Sequence, residues 1–165
     1  MSVPGRRARV DDVYYSEATA TFDPDAFAKW AQEMNAATID EFRRNEGLVA
    51  ACIRGPLRPL LFTHTGQKSG ETFTTPIVHM NVGERYVIIG SMGGSPVHPQ
   101  WLHNIVANPV VALEVGTKRF QARARITEGE EREELFAMMA AVAPEFEVYS
   151  HRATRTFPVV VFERV

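Results

Sequence analysis

Apolar and polar positions along this chain follow two periods, and the switch between them divides it. From Phe27 through Trp30, Ala31, Met34, Ala37 and Ile39 to Phe42, apolar residues recur at mostly three- and four-residue steps. That is the period of a helix with one buried stripe. Asp23-Pro24 supplies an N-cap followed by a proline at the first helical position, and Gly47 supplies a stop, so the pattern predicts an amphipathic helix of about six turns. Beyond it the prolines of Arg54-Gly55-Pro56 and Arg58-Pro59 exclude central-strand pairing and predict a connector. From Leu60 the chain turns to short β-favouring runs, Leu60 to Thr65, Thr72 to Met80 and Arg85 to Ile89, separated by glycine-rich turns. These predict a meander.

A short amphipathic helix is expected from about Pro99. Val110 to Val115 and Lys118 to Ile126 then form two β-rich runs around Gly116-Thr117, a hairpin signal. Thr127-Glu128-Gly129-Glu130 matches a capping box and opens a helix with Leu135, Met138, Met139 and Val142 on one face. Pro144 ends it, a short piece carries Phe146 and Tyr149, and Phe157 to Phe162 reads as a buried closing strand. The expectation is therefore a mainly β domain with helices: about six strands as a small barrel, three or four helices, the first packed over its open side. Residues 1–21 have no sustained periodicity and are expected as an arm, with residues 22–165 as one domain.

Composition narrows the function classes. A chain of 165 residues with a formal net charge of -2 is one domain's length and is not a general nucleic-acid or membrane-surface binder. The single cysteine, Cys52, excludes an intramolecular disulfide framework and fits a cytoplasmic setting. No eighteen consecutive apolar residues occur, so no membrane span is expected.

Candidate chemistry concentrates in the turns. Gly66-Gln67-Lys68-Ser69-Gly70 gathers a cation, a hydroxyl and backbone N–H groups, the donor set an anion needs. It is not a P-loop, since Thr72, Phe73, Thr74, Thr75 and Pro76 follow where that motif requires a helix. The turn Gly90-Ser91-Met92-Gly93-Gly94-Ser95 follows the third run. The histidines His64, His79, His98, His103 and His151 lack the spacing of a metal site and read as structural or exposed. No nucleophile elbow is present. A cofactor enzyme explains that lack, because its protein holds a ring, neutralises a tail and orients an acceptor without a nucleophile of its own.

The ordered strings TGQKSGETFTTPIV, YVIIGSMGG and HPQWLHNIVANP, with PVVVFE near the end, resemble the deazaflavin-dependent nitroreductase family of actinobacterial oxidoreductases, which use coenzyme F420. The resemblance spans roughly two thirds of the chain. It implies a split β-barrel like that of flavin-mononucleotide-binding oxidases, with flavin mononucleotide as the alternative cofactor. It further implies that Thr63, Gln67, Lys68, Ser69 and Gly70 border the phosphate, that Pro76, Ile77 and Val78 line the ring, and that Ile89, Gly90, Ser91 and Met92 meet it from the next strand. Trp101, Leu102 and Asn104 would complete the groove. Arg54 and Arg58, by their place in the connector just before the meander, are further candidate cations along the tail. Phe146, Tyr149 and Val78 would meet the substrate, roofed by Trp30 and Met34, with Tyr149 and Ser91 as the catalytic candidates. The implied reaction is hydride transfer to an activated C=C bond or a quinone, by a monomer or homodimer, with a non-catalytic deazaflavin-binding protein as the alternative reading. Two positions depart from the family pattern: Gln67 replaces an arginine, removing a bidentate phosphate donor, and Val78 stands where some members carry tyrosine.

Overall fold

The computed structural model describes residues 24–53 and 55–165. Six strands close into one antiparallel barrel in the order β1-β2-β3-β6-β5-β4. They are β1 (Arg58–Thr65), β2 (Thr72–Val82), β3 (Arg85–Ile89), β4 (Val110–Val115), β5 (Lys118–Ile126) and β6 (Val159–Arg164). Four α-helices accompany them among the described residues: α1 (Pro24–Arg44), α2 (Gln100–Ala107), α3 (Gly129–Val142) and α4 (Glu145–Arg152).

The strand period sorts the side chains into two cores. Leu60, Phe62, Ile88, Leu113, Val160 and Phe162 point into the barrel and are fully buried. Trp101, Leu102 and Ile105 of α2 join that cluster, so α2 closes one barrel end with its apolar face. Residues one position along, Val87, Ile89, Val159 and Val161, point outward and meet Leu135, Phe136 and Met139 of α3 and Phe146 of α4. A third, smaller cluster places Phe42 and Val49 over Leu61, where α1 crosses the outer face of β1 and β2.

The register makes the barrel split. β1 pairs with β2 along its whole length, from Arg58 opposite His79 to Thr65 opposite Thr72. β2 meets β3 only at Met80, Asn81 and Val82, and β1 meets β4 only at Leu61, Phe62 and Thr63. The stretch of β2 before Met80 therefore has a strand on one side only. This corrects the expectation for Pro59, which lies inside β1 opposite Val78. It sits beyond the short β4 ladder, so its missing N–H costs no pairing. Pro76, opposite Leu61, is tolerated on the bare side of β2 for the same reason.

Other boundaries moved as well: β1 starts at Arg58 and β2 runs on to Val82. The expected capping box is absent: α3 begins at Gly129 behind Glu128, with no side-chain cap. Thr127 instead donates its hydroxyl to the Val159 carbonyl at 2.8 Å, and its N–H reaches the same oxygen at 2.9 Å. The threonine thus ties the start of α3 to β6, and the last strand begins at Val159 rather than Phe157. The first helix stops at Arg44, and the chain reverses through Glu46 and Gly47 at φ 54° and 85°. A Cβ at Gly47 would stand 2.5 Å from Gly116, so only glycine lets this corner lie against the β4–β5 hairpin. Asp23, the expected arm at 1–21 and Arg54 lie outside the described residues.

Candidate functional site

The Gly66–Gly70 turn joins β1 to β2 at the barrel end that α2 covers. The Gly66 N–H donates to the Glu71 carbonyl at 2.7 Å, and Gly70 donates to Gly66 at 3.0 Å. Ser69 Oγ accepts the Glu71 N–H at 3.2 Å. A Cβ on Gly66 would meet Ser69 Oγ at 2.5 Å and the Phe73 ring at 3.0 Å, so a side chain there would displace both. The N–H groups of Lys68 and Ser69 have no partner among the described residues. They and the Lys68 side chain stand exposed, forming a small electropositive cradle.

What holds the cradle is a buried polar chain. Gln67 N–H donates to Asn104 Oδ1 at 3.0 Å. The Asn104 amide nitrogen then faces His64 Nδ1 at 3.0 Å, and His64 Nε2 lies 2.9 Å from Thr75 Oγ1. The backbone donor at Gln67 fixes the orientation of the amide, so Nδ2–H donates to Nδ1 and the imidazole carries its proton on Nε2, which donates to Thr75. His64 is 4% exposed, and burial pushes its pKa down to about 4, so the ring is neutral at physiological pH.

The second turn is held differently. Arg155, between α4 and β6, donates Nε to the Ser95 carbonyl at 2.9 Å and Nη2 to the Ser91 carbonyl at 2.8 Å. Its Nη1 reaches the Gly90 carbonyl and His98 Nδ1, each at 3.1 Å. The guanidinium also lies 4.8 Å over the Phe157 ring. No carboxylate pairs with it among the described residues, and burial lowers its pKa. His98 is held below its ordinary value by burial first and then by Arg155 and His103. Within the turn Met92 takes φ 47°, a left-handed conformation that costs a non-glycine residue about 1 to 2 kcal/mol. Gly94, at φ 82°, brings its backbone against Tyr149: a Cβ there would be 3.4 Å from Tyr149 Cβ and from its carbonyl.

The expected residues divide into three groups. Lys68, Ser69 and Gly70 are exposed on the first turn, and Thr63 binds Thr74 hydroxyl to hydroxyl at 2.9 Å beside it. Val78 and Tyr149 pack half-buried against one cluster that contains Ile89 and Phe146. Ser91 and Met92 stand on the second turn, which α4 touches, while half-buried Trp30 and Met34 ride on α1, which packs against β2. The second group supports from behind. Asn104, Ile89, Phe146, Trp101 and Leu102 are all at most 8% exposed, and Ile77 packs toward the barrel interior. Trp101 meets Phe62 edge-on at 5.4 Å, and its ring would also lie 3.3 Å from a Cβ on Gly90. Arg58 stands apart. It pairs with His79 at the far end of β1, about 23 Å of strand from Thr65, and spends Nη1 on the Gly55 and Leu57 carbonyls.

Sequence reasoning missed Arg155 and the His64–Asn104 pairing. Arg155 lies in RATRTFPV, with no period or motif around it. His64 alternates into the barrel with Leu60 and Phe62, so its inward direction was legible although its partner forty residues on was not.

The arrangement offers an electropositive cradle, a bare strand edge beside it and a tyrosine, a serine and apolar walls beyond. The F420H(2)-dependent quinone reductase family model matches residues 34–164. The chain belongs to this family. It is an F420-dependent oxidoreductase with coenzyme F420 as cofactor, and flavin mononucleotide is not needed as an alternative. It is 33% identical over 128 residues to an F420H(2)-dependent quinone reductase of Mycobacterium tuberculosis, covering 74% of this chain and 85% of the relative. A solved F420-H2-dependent reductase is 35% identical with a TM-score of 0.59, over 67% of this chain and 96% of that one. Another solved structure, described as a domain-swapped dimer, is 31% identical with a TM-score of 0.61, over 82% of this chain and 98% of that one. The family resemblance and the split barrel expected from the sequence are borne out. No helix among the described residues is long and apolar enough to cross a membrane.

Proposed function

We propose that this reductase passes hydride from reduced F420 to a quinone, with the first turn binding the coenzyme tail and the second turn and α4 forming the acceptor site. The observation that carries this reading is the pair of unengaged N–H groups at Lys68 and Ser69 beside an exposed ammonium, on the turn that opens the bare edge of β2. The donors suit a phosphate, since two backbone N–H groups without a partner among the described residues adjoin one exposed cation. Lys68 and the two N–H groups hold that phosphate, while Pro76 and Val78, which alternate outward on β2, present an apolar edge to the ring. When bound in its reduced form, the coenzyme supplies two electrons and a proton as hydride from C5 of its deazaflavin ring.

The acceptor needs one further proton to become a hydroquinone, and charge grows on its oxygen before that proton arrives. Tyr149 Oη donates a hydrogen bond to that oxygen, and Ser91 is the second donor. Phe146 and Ile89 back the wall on which a flat ring rests, and Trp30 and Met34 exclude water from above. Small aromatic quinones are the proposed acceptors, since this wall is apolar. Val78, lacking a hydroxyl, leaves recognition to the far side of the ring. By analogy with the domain-swapped relative, the protein is proposed to dimerise.

Titration of the apo protein with coenzyme F420 and with flavin mononucleotide tests the cofactor, with tighter F420 binding expected. Turnover with a naphthoquinone and with a cyclohexenone then tests the acceptor. Tyr149→Phe is expected to lower turnover on the quinone by about tenfold, roughly 1.4 kcal/mol, without moving coenzyme affinity. Unchanged turnover would leave proton delivery to solvent, and equal affinity for the two cofactors would remove the proposed reaction.

A further inference from the structure

We infer that His64 is a positioning residue for the coenzyme tail: acting through Asn104, it holds the Gln67–Ser69 backbone in its anion-binding shape. This inference rests on the proposed role of the first turn and specifies what keeps that turn competent. The histidine touches no ligand position itself. It lies under the turn, inside the barrel, 4% exposed.

Asn104 makes one contact upward, accepting from Gln67 N–H at 3.0 Å, and one downward, donating to His64 Nδ1 at 3.0 Å. An amide has a carbonyl at one end and an NH2 group at the other, so these contacts are mutually dependent. The carbonyl faces Gln67 only while the amide nitrogen has an acceptor below. Thr75 supplies the remaining constraint. Its Oγ1 lies 2.9 Å from Nε2 and accepts the ring's single proton there, which leaves Nδ1 bare. Were Nδ1 to carry a proton, Asn104 would meet a donor, its favourable response would be to turn over, and an NH2 group would then face the Gln67 N–H. The turn would lose its tether to α2.

The tether matters because the neighbouring donors share its backbone. Gly66 N–H and Gly70 N–H are spent inside the turn, so Asn104 is what fixes the first peptide of the Gln67-Lys68-Ser69 segment against the body. A preorganised pair of N–H groups binds an anion without an ordering cost, and a loose pair does not. The neighbouring ring of Phe73, 6.0 Å from His64 by centroids, packs beside the same histidine but offers no acceptor.

The test uses the full chain and two probes: coenzyme F420, and its deazaflavin chromophore lacking phosphate and glutamates. Backbone amide exchange of Gln67 in the apo protein is read beside the two affinities. His64→Leu keeps an apolar filler but removes the acceptor. It is expected to speed Gln67 exchange at least tenfold and to weaken F420 binding about tenfold, with chromophore binding unchanged. His64→Asn, whose carbonyl can stand at the Nδ1 position, is expected to restore most of both effects, and it also serves where the leucine variant folds poorly. Unaltered Gln67 exchange in His64→Leu and His64→Asn alike would overturn the inference. Equal weakening of both probes would overturn it too, since that is what general loosening of the barrel produces. If the wild-type protein binds neither probe, the proposed function fails instead, while the exchange result still decides whether His64 orders the turn.

Discussion

The two turns that flank the open edge of the barrel are both glycine-rich, yet they are stabilised in opposite electrical senses. The Gly66–Gly70 turn is tied down by neutral groups, Asn104 and His64, which take one N–H and leave those of Lys68 and Ser69 without a partner among the described residues. The Gly90–Ser95 turn is tied down by a cation, Arg155, which gathers the Gly90, Ser91 and Ser95 carbonyls inward. A turn held by its donors' neighbours remains electropositive outward and suits an anion. A turn whose carbonyls are collected by a guanidinium is rigid but has little field left over, and suits an apolar ring with one or two placed hydroxyls. Glycine content alone distinguishes neither use.

Removing the cation should break the comparison most severely. Arg155→Ala removes a donor from three carbonyls, of which only that of Ser91 keeps another, the Gly94 N–H, and is expected to cost about 3 kcal/mol of stability, read by denaturant unfolding. Arg155→Lys keeps the charge but not the fork and should recover only part of that. A loss under about 1 kcal/mol would show that water replaces the guanidinium.

The neutral tether has its own signature in pH. His64 titrates near pH 4 in the folded protein against 6.5 ordinarily, so below pH 6.5 the unfolded chain takes up a proton that the native ring refuses. Its contribution is therefore present above pH 6.5 and lost as pH falls toward 4, about 3 kcal/mol across that window. Burial also lowers His79, which adds in the same direction. Urea unfolding at pH 7 and pH 5 is expected to show a steeper loss in the wild type than in His64→Asn, and parallel losses would assign the acid sensitivity elsewhere.

Smaller effects sharpen the distinction. Lys68→Ala is expected to weaken F420 binding by about 1.5 to 3 kcal/mol while leaving the melting temperature unchanged. Raised salt should weaken wild-type binding more than binding by the variant. Gly70, at φ 71° with open space within 4 Å of where a Cβ would stand, isolates the backbone cost. Gly70→Ala should lose about 1 kcal/mol of stability without any steric clash, and an unaltered melting temperature would mean the turn relaxes freely.

The sequence by itself determined the elements of this protein and their order. Alternation at Leu60, Phe62 and His64 set which side chains enter the barrel, Gly116-Thr117 set the β4–β5 hairpin, and the three-and-four spacing set α1 and its apolar face. These are local properties of backbone geometry and apolar period, legible within a dozen residues. The string GQKSG marked the first turn because glycines and a lysine must be contiguous to make a cradle. Tertiary structure alone decided the rest. Whether Pro59 and Pro76 were tolerated depended on how far β4 and β3 extend beside them. Thr127 looked like a helix cap and serves β6 instead, because the Val159 carbonyl is brought within 2.8 Å of its hydroxyl. Asn104 and His64, and Arg155 with the carbonyls 60 to 65 positions before it, pair only after barrel closure sets the distances. A hydrogen bond needs its partner within about 3 Å in the right direction. Period and propensity give a side chain its face, but they carry no information about which distant group that face will meet.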